Sequence, residues 1–113
     1  MQILALVAMA LSPWVGSDLP TATQAAARYR LTVTGKPGQS VHLRATGVAS
    51  GWIAAFCDMK VCSPSQVTEK MPKSGQVVVQ FELIRETDDA AHRSGATIVA
   101  DDGRRIVVPP ASR

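Results

Sequence analysis

The strongest constraint on the fold of this chain is the ten-residue run Gln76–Arg85. In it Val77, Val79, Phe81 and Leu83 alternate with Val78, Gln80, Glu82 and Ile84. A period of two sends successive side chains to opposite faces of an extended strand, and it does not build the single apolar stripe of a helix. The same period recurs in Tyr29-Arg30-Leu31-Thr32-Val33-Thr34, where Tyr29, Leu31 and Val33 face a core while Arg30, Thr32 and Thr34 face water. It recurs again where Val41, Leu43 and Ala45 alternate with Ser40, His42 and Arg44. Gly35-Lys36-Pro37-Gly38 lies between these two runs and predicts a turn, so the pair reads as a first hairpin.

Beyond a small-residue loop at 46–51, Gly51-Trp52-Ile53-Ala54-Ala55-Phe56-Cys57 is apolar on both faces, as a central strand would be. Ser63-Pro64 breaks the chain. Residues 66–71 predict a fourth strand with Val67, Glu69 and Met71 on one side, and Glu69 marks it as an edge. Pro72-Lys73-Ser74-Gly75 turns the chain into the Gln76–Arg85 strand. Residues 86–95 are polar and read as a surface loop. Residues 96–100 and 105–108 pair across Asp101-Asp102-Gly103-Arg104, for which a tight primed turn is expected. Pro109 and Pro110 end the sheet by removing backbone donors, and residues 111–113 form a tail.

A chain of 113 residues holds one domain. Its 46% hydrophobic and 4% aromatic content makes a core of Val, Ile, Leu and Ala, which favours strands. About seven short strands punctuated by turns, with no amphipathic helix, predict an all-β fold: a small antiparallel β-sandwich over residues 28–110. The order resembles that of an immunoglobulin-like or fibronectin-III-like domain, with Trp52 on the third strand where such folds often bury an aromatic. It departs from antibody-type domains in having no cysteine pair between distant strands. The resemblance implies a binding or spacer module.

The first 27 residues differ in composition from the rest. They contain no Lys or Arg and a single acid, Asp18, whereas all 12 basic residues lie at or beyond Arg28. Ile-Leu-Ala-Leu-Val-Ala-Met-Ala-Leu from Ile3 to Leu11 is too short to span a bilayer as a helix and matches the apolar region of a signal peptide. Residues 1–27 are therefore expected to be a signal peptide and spacer. Ala25-Ala26-Ala27 offers small residues for cleavage near Ala27, and Val15 with Ser17 offers an earlier site. The expected destination is the periplasm or the exterior, with no stable membrane span after cleavage.

Four residues separate Cys57 from Cys62, and in an oxidising compartment the default is a disulfide that fixes a turn at Asp58. The spacing is not the C-x-x-C of thioredoxin-like enzymes. Two alternatives stay open at this point: copper handling by Cys57, Cys62 and Met59, and thiol-disulfide chemistry through the same two sulfurs. His42 and His92 read as exposed side chains, and the pairs Asp88-Asp89 and Asp101-Asp102 as turn and loop solvation. No residue set marks a catalytic centre, and no cofactor or metal motif is evident. Arg30, Lys36, Arg44, Lys60, Lys70, Lys73 and Arg85 are scattered, which argues against nucleic acid. The expected function is non-enzymatic binding of a protein or envelope component. It would act through an exposed strand edge or a loop built from Trp52, Phe56, Asp58, Met59 and Lys60.

Overall fold

The computed structural model describes residues 9–13, 26–58, 61–86 and 93–109. Among them are nine strands and no helix: β1 (Met9–Pro13), β2 (Ala26–Thr34), β3 (Ser40–Thr46), β4 (Trp52–Asp58), β5 (Val61–Pro64), β6 (Gln66–Lys70), β7 (Gln76–Arg85), β8 (Ala96–Ala100) and β9 (Arg105–Val108). They form two antiparallel sheets that pack face to face. The first has the order β1-β2-β7-β4-β5 and the second β6-β3-β8-β9. The all-β sandwich expected from the alternation is thus the observed architecture.

The apolar phase of each strand explains the packing. Tyr29, Leu31 and Val33 of β2, Val79, Phe81 and Leu83 of β7, and Trp52, Ala54 and Phe56 of β4 are buried on the inner face of the first sheet. They meet Val41, Leu43, Ile98, Ala100 and Val108 from the second. β7 is the middle strand of its sheet, and register places Tyr29, Phe81 and Phe56 in one row across β2, β7 and β4. The Phe56 and Phe81 rings lie 5.0 Å apart between centroids, and Tyr29 and Phe81 6.4 Å apart. Tilted pairs at these distances add to the area they bury. The Tyr29 hydroxyl donates to the Pro109 carbonyl oxygen at 2.7 Å, tying β2 to the residue after β9.

Several expectations are corrected. Among the described residues the strands number nine, because β1 and β5 join those read from the sequence. Ser63-Pro64 does not break the chain: it ends β5, an edge strand where proline's missing N–H costs no ladder bond. β2 and β3 are not a hairpin either. β2 pairs with β1 and β7, β3 pairs with β6 and β8, and residues 35–39 arch from one sheet to the other. Both strands carry an apolar face for the same core, and placing them in opposite sheets buries both. A second arch, from β6 to β7, lies against the first: Gly35 N–H donates to Gly75 O, and Gly38 N–H to Met71 O, each at 2.9 Å. Gly75 is needed there, since it has φ 74° and a Cβ on it would stand 2.8 Å from Gly35 O.

The β8–β9 turn also differs from the primed form. Gly103 N–H donates to Ala100 O at 3.0 Å, and only Gly103 in the turn has positive φ, at 95°. This is a three-residue loop closed by a left-handed glycine. β6 sits at an edge as expected, with Glu69 buried.

The expected leader overlaps the described residues at β1 and at Ala26 and Ala27, which are extended and paired. The rest of its apolar run, Val15, Ser17 and Ala25 lie outside the described residues. So do Met59, Lys60, Asp88, Asp89, His92, Pro110 and the tail.

Candidate functional site

The outer face of the first sheet gathers the polar phases of its strands. Cys57 on β4 stands opposite Cys62 on β5, with Cα atoms 3.9 Å apart, and the two form a disulfide. The bond joins facing residues of a hairpin whose register closes at Asp58 and Val61. It therefore staples two strands rather than fixing a turn at Asp58, and the two short extended strands supply the closeness that one extended strand could not.

Cys57 is buried, at 7% exposure, while Cys62 is exposed at the sheet's edge. The asymmetry follows from strand order, since β4 is flanked by β7 and β5 and β5 ends the sheet. On the neighbouring strand β7, Glu82 Oε2 lies 3.8 Å from Cys57 Sγ. Glu82 Oε1 accepts from Arg28 Nε of β2 at 2.7 Å and from Gln80 Nε2 at 2.7 Å. The Arg28–Glu82 pair is largely shielded, with side chains 20% and 12% exposed. Disulfide, carboxylate, amide and guanidinium thus form one cluster across four strands, on two neighbouring register rows: Cys62, Cys57 and Gln80 on one, Glu82 and Arg28 on the next.

Of the residues expected to form a binding loop, Trp52 and Phe56 are buried in the core, Phe56 within the β4–β5 hairpin and Trp52 at the far end of β4, opposite Arg85. Asp58 ends β4, and only its backbone is described. Exposed apolar surface is found instead at Val61, 68% exposed on β5, with Ile53 and Val78 also exposed on the same sheet. Nothing in the local sequence marks Glu82 as a neighbour of Cys57, since 25 residues separate them. The available signal was joint: the polar phases of β2 and β7 carry Arg28, Gln80 and Glu82, and Cys57 is in the outward phase of a central strand.

His42 Nδ1 shares a hydrogen bond with Thr68 Oγ1 at 2.9 Å, and Asp101 Oδ1 accepts the His42 N–H at 3.2 Å. These contacts stitch β3 to its neighbours. Asp102 binds the Arg104 guanidinium, with its Oδ2 2.7 Å from Nη2, and Arg104 Nη1 also donates to Thr34 O at 2.7 Å.

Fold and site together define a small two-sheet β domain with a disulfide-closed edge. Such a disulfide belongs to an oxidising compartment, and no helix among the described residues is long and apolar enough to cross a membrane. Neither a protein-family model nor a curated protein matches the sequence. Among solved structures the chain is similar to Northeast Structural Genomics Consortium target SoR45, at 12% identity and TM-score 0.32 over 93% of this chain and 81% of that one. That degree of likeness says nothing about activity.

Proposed function

We propose that this chain is an exported, non-enzymatic β-sandwich module that binds a protein or envelope component through the β4–β5 edge. The observation that carries the reading is the stapled edge itself. β5 is a four-residue terminal strand held to β4 by a disulfide, and Val61 presents an apolar side chain beside it. An edge strand offers unpaired backbone groups, and a covalent staple reduces the ordering cost of engaging them. An immunoglobulin-like relationship is supported by the inner pairs. Counting β2 as the first strand, β3 with β6 and β4 with β7 match the second with fifth and third with sixth strands of such domains. The flanks differ, with β2 beside β7 and β8 beside β3.

The test places a photo-crosslinking amino acid at Val61, or at the equally exposed Val107 of the opposite sheet, in cells making the full chain. Discrete adducts from position 61 and none from 107 are expected, on protein whose intact mass corresponds to cleavage near Ala27. Equal adducts at both positions, or none at 61, would sink the binding edge. An uncleaved intracellular chain would sink export.

A further inference from the structure

We propose that reduction of the Cys57–Cys62 bond converts the outer-face cluster into a zinc site, with Cys57, Cys62 and Glu82 as ligands and a fourth position open. This goes beyond the partner-binding reading and does not depend on it. The three side chains come from three adjacent strands, and their ligand atoms all lie within 4.8 Å of one another. Tetrahedral zinc holds sulfur at about 2.3 Å and carboxylate oxygen at about 2.0 to 2.2 Å, which separates neighbouring ligand atoms by roughly 3.5 to 3.8 Å. Cys57 Sγ and Glu82 Oε2, 3.8 Å apart, already have that spacing. Only Cys62 must draw back, and it sits on a four-residue edge strand.

The carboxylate is oriented for the task. Arg28 and Gln80 both bind Oε1, leaving Oε2 turned to the sulfur. Hydrogen bonds to the far side of a ligand are what fix a metal ligand in place. Charge also balances: two thiolates and a carboxylate carry three negative charges, and Zn²⁺ with the Arg28 guanidinium supplies three positive. A donor set of two sulfurs and one oxygen suits zinc better than Ca²⁺ or Mg²⁺, which take oxygen, or Cu(I), which selects sulfur. The exposure of Cys62 leaves the remaining position to water or to a partner's side chain.

A phosphine delivers two electrons to the S–S bond and becomes its oxide with oxygen from water, whose two protons end on the sulfurs. Zinc then displaces both protons to solvent, so below the ordinary thiol range affinity should climb by up to about 100-fold per pH unit. The experiment reduces the full chain with a phosphine, removes the reductant without air, and titrates Zn²⁺ against a chromophoric chelator. Co²⁺ is then used to read sulfur charge-transfer bands.

One zinc per reduced chain and none per oxidised chain is expected. Glu82→Gln should weaken binding by more than about 100-fold, and Arg28→Gln by about 10- to 100-fold. Thermal unfolding checks that each variant is folded, and Glu82→Asp, which retracts the carboxylate, provides a second variant that should also weaken binding. Zinc held as tightly by Glu82→Gln would overturn the proposal, as would no zinc on the reduced chain. Tighter Cu(I) binding that Glu82→Gln leaves unchanged would assign the cluster to copper instead. The cross-linking test reads adducts in cells and the zinc titration reads the purified, reduced chain, so the two readings fail separately.

Discussion

Asp102 makes a single turn into a joint between the two sheets. Its carboxylate is held below the usual carboxylate range, first by the hydrogen bond from the Arg104 side chain, and Arg104 in turn donates to Thr34 O at the end of β2. The ionised form is thus favoured in the folded chain. Its contribution is fully present above the carboxylate pKa of the unfolded chain and is lost as pH falls through the lowered folded value. Asp102→Asn should therefore lower the urea midpoint at about pH 7, and the gap from the parent should close towards about pH 2. A gap that persists in acid would show that the loss is steric. The turn was visible in the sequence because Asp-Gly has a conformational signature. The reach of Arg104 to Thr34 was not, since nothing near either residue encodes a contact between positions so far apart.

At the scale of the element, alternation proved informative about faces and silent about partners. It placed Tyr29, Leu31, Val33, Val41 and Leu43 in the core, where they lie. It could not say that β2 and β3 belong to different sheets, because a hairpin and an arch present the same apolar phases. The cysteine pair was legible for a similar reason and to a similar extent: the spacing and the expected oxidising compartment predict the bond, while its cross-strand geometry depends on β5, which the proline concealed. Replacing both cysteines with alanine should cost about 2 kcal/mol by loop-closure entropy, read as a shift in urea unfolding. No shift would mean that the hairpin's pairing alone holds the edge. The Cys57–Glu82 approach lay beyond sequence reasoning, because it needs the order β5-β4-β7-β2, which alternation does not supply.

For the whole molecule, Phe81 is the residue through which the first sheet coheres, set between the tilted rings of Tyr29 and Phe56 and fully buried. Phe81→Ala should cost about 3 to 5 kcal/mol, measured by denaturant unfolding, with loss of both sheets in one transition. Separate transitions would show that the sheets do not share a core. Processing near Ala27 would remove β1 and strip β2 of its outer neighbour, so maturation would also change which edges the molecule exposes.

The central place of β7 also bears on when the protein can fold. β2 and β4 both wait for a strand that ends at Arg85, and β8 and β9 come later still. A growing chain therefore has no finished sheet through most of its synthesis, and pairings this distant in sequence close slowly. The order of elements thus leaves the first sheet open until Arg85 has been made.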